Sequence, residues 1–194
     1  LCKIREGGDL VKDTRQNILN ASLDIFSNKG YKEATTLEIS KDAGVAEMTL
    51  FRQFQSKQNL FIETVKYALG ISFGLEESVN YHKSLADFIK EVLHQKLMLI
   101  SNHIKLVKML IRESLSHTIP EDMDVTKRIS KDLMQKIEAY VSLNEVHLNP
   151  EAFSEIIAGM LLRYAIMEEK PVYHLMGADE QLKYIESYIA ILKI

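Results

Sequence analysis

Thr35-Thr36-Leu37-Glu38-Ile39-Ser40-Lys41-Asp42-Ala43-Gly44-Val45-Ala46-Glu47-Met48-Thr49-Leu50-Phe51-Arg52-Gln53-Phe54 is the stretch that decides the fold. It opens with the T-x-x-E spacing of a capping box, in which the Thr35 hydroxyl satisfies a free helix N–H and Glu38 reaches back. The spacing predicts a short helix over about 36–43. Gly44 then supplies a tight turn, Val45 an apolar plug, and Glu47 to Phe54 a second short helix. A helix-turn-helix needs these parts, because its second helix must project from a small rigid support into the major groove. Any helix pair joined through a glycine has the same outline, so geometry alone leaves the assignment open.

Upstream, Thr14 to about Lys29 reads as a helix with Ile18, Ala21, Leu23, Ile25 and Phe26 on its apolar side, Thr14 as N-cap and Gly30 as stop. Residues 1–13 are read as an N-terminal arm without a fold role. Downstream, Ser56 caps a longer helix holding Leu60, Phe61, Val65, Ala68 and Leu69, which fades near Gly70 to Gly74. Beyond Asn80 to Lys83 the apolar stripes lengthen. Leu85, Phe88, Ile89, Val92, Leu93 and Leu97 form one, Ile104 to about Ser116 another, and Val125, Ile129, Leu133, Ile137 and Tyr140 a third. Ile119-Pro120 is a break. Asn149 caps a helix begun by Pro150 and running to about Glu169, and Pro171 with Gly177 separates it from a last helix beginning at Asp179. The count is nine helices.

Composition agrees with an all-α chain. Of 194 residues, 46% are hydrophobic, while glycine (8) and proline (3) are too scarce to turn a sheet. The single cysteine, Cys2, excludes an internal disulfide and a thiolate metal cage. No apolar run approaches the ~20 residues of a membrane span, and residues 1–13 lack the apolar core of a signal peptide. A soluble, cytoplasmic protein with no membrane partner is expected. The net charge of −3 does not advertise nucleic-acid binding: residues 1–61 carry +1 and residues 62–194 carry −4.

The residues are more specific than the charge. Ile18-Leu19-Asn20-Ala21, Phe26, Gly30-Tyr31, Thr35-Thr36, Glu38-Ile39, Ala43-Gly44-Val45, Thr49-Leu50-Phe51 and Phe54-x-Ser56-Lys57-x-x-Leu60 together resemble the N-terminal pattern of the tetracycline-repressor (TetR) family. The resemblance covers about Thr14 to Phe61, and the later helices are similar to the family in number, length and order. It implies a three-helix DNA-binding domain over 14–61 followed by an effector-binding and dimerisation domain over 62–194. It also implies that Thr35, Thr36, Thr49, Phe51 and Lys57 contact phosphates, with Ala46, Glu47, Met48 and Arg52 on or beside the surface that meets base edges. Helix N-termini at Thr35, Glu47 and Lys57 suit phosphate on physical grounds. Four positions depart from the family: Ala46 replaces a capping serine, Glu47 puts an acid where a base is common, Met48 replaces glycine, and Phe51 lacks the tyrosine hydroxyl.

In the last helix Leu182, Ile185, Ile189 and Leu192 make one apolar seam and Tyr184, Tyr188 and Ile191 another, so burial on two sides is expected. A partner chain would supply the second side. Ala152 with Gly159, and Ala158 with Ala165, would permit close packing on the preceding helix. The candidate homodimer interface is Ala158, Gly159, Ala165, Tyr184, Tyr188 and Ile191. Phe88, His94, Met98, Met109, Met134, Met160 and Tyr164 could line an adaptable apolar effector pocket or serve as ordinary core. Arg112 and Glu113 could form its polar floor or lie at the surface.

Enzymatic signatures are missing. Glu91-x-x-His94 is half of a di-iron carboxylate motif, and no second half exists. No catalytic elbow, phosphate loop or dinucleotide fingerprint is present, so no catalytic residue, metal or cofactor is expected. The reading is a ligand-responsive transcription regulator, a repressor binding a palindromic double-stranded DNA operator as a homodimer and released by a small, largely hydrophobic effector. The alternative is a helical ligand-binding or interaction protein with weakened DNA binding.

Overall fold

The computed structural model describes residues 7–69, 79–117, 119, 124–167 and 172–194. Among them the backbone forms nine α-helices, one 3₁₀ turn and no strand. Cys2, Gly70 to Gly74, Pro120 and Pro171, singled out in the sequence, lie outside the described residues, as does the Val125 side chain. The chain divides into two compact units, one of residues 1–75 with Met109–Met123, the other of Glu76–Lys108 with Asp124–Ile194.

The first unit contains α1 (Gly7–Lys29), α2 (Thr36–Asp42), α3 (Glu47–Phe54), α4 (Lys57–Leu69) and most of α6 (Ile104–Leu115). The α1 helix begins seven residues before Thr14. Nothing between Gly8 and Thr14 breaks a helix, so Thr14 is an interior residue and not the expected N-cap. Its inward face is Ile18, Leu19, Ala21 and Phe26, with Leu23 and Ile25 only half-buried. This face packs on α4, where Leu60, Phe61 and Val65 are buried. Buried Ser22 and Thr64 satisfy their hydroxyls on carbonyls one turn back, Ile18 O at 2.6 Å and Leu60 O at 2.7 Å. The open edge of the α1–α4 pair carries an Arg15–Glu63 ion pair at 3.0 Å and a Tyr67 hydroxyl that accepts from Gln16 and donates to Asn20 Oδ1.

The second unit contains α5 (Leu85–Asn102), α7 (Val125–Asn144), α8 (Pro150–Met167), the 3₁₀ turn Tyr173–Leu175 and α9 (Ala178–Leu192). Each long helix starts on a polar cap. Ser84 Oγ accepts from Asp87 N, Asp124 Oδ1 from Thr126 N and Lys127 N, Asn149 Oδ1 from Ala152 N, and Gly177 N donates to Glu180 Oε2. The core joins Phe88, Ile89, Val92, Leu93 and Leu97 of α5 to Leu133, Ile137 and Tyr140 of α7 and to Phe153, Ile157 and Leu161 of α8. Tyr173 is fully buried and ties three elements together. Its hydroxyl meets His94 Nδ1 at 2.8 Å, its N–H donates to the Tyr164 hydroxyl at 3.0 Å, and its carbonyl accepts from Gln181 at 3.0 Å.

Candidate nucleic-acid interface

The α2–α3 pair is set by its caps. Thr35 Oγ1 accepts from Glu38 N at 3.2 Å and the Glu38 carboxylate accepts from Thr35 N at 3.4 Å, completing the capping box. Lys29 at the end of α1 bonds Glu38 at 2.5 Å, which holds that carboxyl below its usual range. At the other end of α2, Val45 N reaches Ser40 O at 2.9 Å and Gly44 N reaches Lys41 O at 3.2 Å, the paired bonds of a Schellman motif. Gly44 stands at φ +67°, a conformation that a side chain would strain. Val45 is half-buried.

Ala46 gives α3 no side-chain cap. Glu47 compensates in part, because a carboxylate in the first turn complements the helix dipole, and it accepts from Thr36 Oγ1 at 2.6 Å. That bond ties the first residue of α3 to the first residue of α2, and sequence spacing could not have revealed it. Leu50 and Phe54 face inward, with Arg15 lying 5.0 Å over the Phe54 ring. Met48, Phe51 and Arg52, three and four residues apart, share the opposite face, Met48 being 80% exposed. Thr35 and Ala46 are exposed, and Thr36, Glu47 and Thr49 half-buried. All are grouped around the start of α3.

Lys57 opens α4, after Ser56 accepts from Asn59 N at 3.0 Å. Its ammonium donates to Lys32 O at 3.2 Å and lies 4.8 Å over the Tyr31 ring. Burial lowers its pKa, while the charges of Glu113 and Glu33 pull it back up. Tyr31 meets Phe61 edge-on at 5.0 Å, and Phe61 meets Phe26 at 5.1 Å, so Lys57 roofs an aromatic cluster joining α1 to α4.

Residues 18–64 match the family model for bacterial regulatory proteins of the tetR family. A TetR/AcrR-family regulator from Aquifex aeolicus superposes with a TM-score of 0.65 at 20% identity, covering 92% of this chain and 99% of that one. Residues 18–64 thus match the tetR family, and the chain as a whole has the fold of solved tetR-family regulators. Regulators of this family are not enzymes. The crystal structure of AibR with isovaleryl coenzyme A and operator DNA superposes with a TM-score of 0.61 at 14% identity, covering 92% of this chain and 97% of that one. Among curated proteins, an uncharacterised HTH-type transcriptional regulator of Bacillus subtilis, YerO, is 22% identical over 135 residues, 67% of this chain and 45% of that regulator. The chain thus aligns with less than half of that relative's length.

The other expected site residues fall in several environments. Phe88 is fully buried and stacked on Tyr140 at 4.3 Å, and buried Tyr164 accepts from Tyr173 N. Met134 accepts from Ser154 Oγ, Met98 faces the Gln181 amide, and Met160 is half-buried. Met109 is buried and belongs to the first unit. Of the seven, His94 alone lines a groove of about 500 Å³ between α5 and α9, with Lys83, Asp87, Lys90, Glu91, Gln181 and Leu182 among its walls.

At the expected interface, Gly159 and Ile191 are exposed, Ala158 is half-buried, and Tyr184 bonds Tyr188 hydroxyl to hydroxyl at 2.9 Å. Ala165 is 1% exposed and buried in the core. The outward apolar face of α8 runs instead through Ile156, Gly159, Leu162 and Ile166. Among the described residues no helix is long and apolar enough to cross a membrane.

Proposed function

We propose that this chain is a repressor that binds a palindromic operator as a homodimer and is released by a small, largely hydrophobic effector. The observation that carries the DNA-binding part is the mounting of α3. Both of its flanking turns are hydrogen-bonded shut, its inner face is locked by Leu50 and Phe54, and Met48, Phe51 and Arg52 are left facing out. A helix held rigidly by one face and free on the other suits insertion into the major groove. Thr35, Thr36, Thr49, Phe51 and Lys57 would contact phosphates and fix register, while Glu47, Met48 and Arg52, with Ala46 beside them, would face base edges.

The dimer is supported by apolar surface. Ile156, Leu162, Ile166 and Met167 of α8 and Leu182 and Ile191 of α9 are each 45% or more exposed. Exposed apolar side chains in this number on two helices fit burial against a second copy of the chain. Effector release needs a coupling of only ~1 to 3 kcal/mol, a 5- to 150-fold loss of DNA affinity. The AibR structure, which holds both an acyl-coenzyme A and operator DNA, supports a fold that can take both kinds of ligand.

The test is fluorescence anisotropy with duplexes selected by the purified protein from a randomised pool. Recovery of an inverted repeat, with half-sites about one DNA turn (~34 Å) apart, is the expected result. Selection of no duplex would refute the DNA-binding reading and leave the helical ligand-binding alternative, which the acidic Glu47 on the reading face favours.

A further inference from the structure

We infer that Glu113 of α6 is a positioning residue for DNA binding, acting through Gly30 and Lys57 on the reading head. This rests on the DNA-binding reading above. Glu113 is 6% exposed, an unusual place for a carboxylate. A Cβ built on Gly30 would lie 2.3 Å from Glu113 Oε1 and 2.7 Å from Arg112 Nη2, so the carboxylate fills the space a side chain at residue 30 would take. Gly30 is buried with φ +87°, and its position ends α1 and starts the turn to α2. Helix C-termini carry partial negative charge, so an anion there needs cationic support. Arg112 gives it at 3.3 Å, and the Lys57 ammonium lies within its electrostatic reach.

The consequence is mechanical. Lys57 grips the turn through Lys32 O and the Tyr31 ring, and the same turn leads into Thr35, the cap of α2. Glu113 therefore holds, from behind, the turn from which the reading pair is hung. Glu113 is not itself among the residues proposed to contact DNA. Met109 and Leu110, each 2% exposed, anchor α6 one turn before it.

Charge makes the test one of sign. Removing a negative charge that only repelled phosphates would tighten DNA binding, whereas removing a positioning group loosens it. Wild type and Glu113→Gln are compared by anisotropy, over a series of salt concentrations, on the duplex the wild type selects and on an unrelated duplex. The expected result is binding on the order of tenfold weaker on the selected duplex, an unchanged salt slope because no phosphate contact is lost, and a smaller effect when Lys57→Gln is already present. Equal or tighter binding by Glu113→Gln overturns the inference, as does a full, additive effect in the Lys57→Gln background. Should Glu113→Gln be unfolded by circular dichroism, Glu113→Asp replaces it, keeping the charge but withdrawing it by one methylene; weaker binding is again required. Failure of the wild type to bind any duplex sinks the DNA-binding reading, and the positioning role with it.

Discussion

Glu47→Gln is the substitution that separates fold from recognition most cleanly. Glu47 Oε1 accepts from Thr36 Oγ1 at 2.6 Å, and a glutamine amide oxygen can accept the same bond, so the α2–α3 link survives while the negative charge goes. A phosphate about 7 Å from that carboxylate, at an effective dielectric of about 60, is repelled by roughly 0.8 kcal/mol before screening. At about 10 mM salt the Debye length is ~30 Å and most of this survives, whereas at 0.15 M it is ~8 Å and more than half is lost. Taking about two phosphates near the start of α3, each reading head should gain roughly 1.2 kcal/mol at low salt, about eightfold, shrinking to about threefold at 0.15 M. Anisotropy titrations on several unrelated duplexes measure this directly. Affinity unchanged at low salt would refute the placement of Glu47 beside the backbone. Weakening confined to duplexes with cytosine at one position would instead make Glu47 an acceptor from its amino group.

Thr35→Ala removes the cap of α2 and should cost about 1 kcal/mol in urea unfolding, together with weaker DNA binding. Tyr173→Phe keeps the buried ring and loses one hydroxyl whose partner, His94, can bond water, so about 0.5–1.5 kcal/mol is expected, against about 3–5 for Tyr173→Ala. Equal costs for the two would mean that the hydroxyl and not the packing holds the turn. Burial works against ionisation of Asp132, but Lys96 and Lys136 outweigh it and hold its carboxyl below the usual aspartate range. That stabilisation is present above about pH 4 and is lost as pH falls through the lowered folded value. Urea midpoints at pH 5 and pH 2 should therefore drop more for wild type than for Asp132→Asn, and identical drops would refute the pairing. In the proposed dimer, Ile191→Asp, at a 75% exposed position, should shift the chain to monomer in light scattering without lowering helicity.

Much of the helical frame was legible because its signals are local. Thr35 to Glu38, Gly44 and Ser56 announce caps and turns that depend only on near neighbours, and each appears at its expected place. The start of α1 was missed because Thr14 looks like a cap, and a cap residue inside an unbroken helical run has no distinguishing mark in the sequence. The site was legible as a list and not as a geometry. Thr36 and Glu47 were both singled out, yet their bond joins residues eleven apart across a turn. Glu113 meeting Gly30 joins residues brought together only by the tertiary fold, and no periodicity carries that information. The apolar set proposed for an effector pocket failed to converge on the α5–α9 groove because methionine and aromatic residues at helical spacing also serve as ordinary core.

The first unit is not a contiguous stretch of chain: Met109–Met123 returns to it after Lys108. A chimera that exchanged reading heads between two regulators by cutting once after α4 would pair one protein's Gly30 with another's residue at 113. A glycine chosen to admit a carboxylate would face an unfilled gap, or a bulkier residue would collide with Glu113. The transferable part is two segments, the N-terminal helices and the α6 stretch bearing Arg112 and Glu113, and a graft that moves them together keeps the turn before α2 intact.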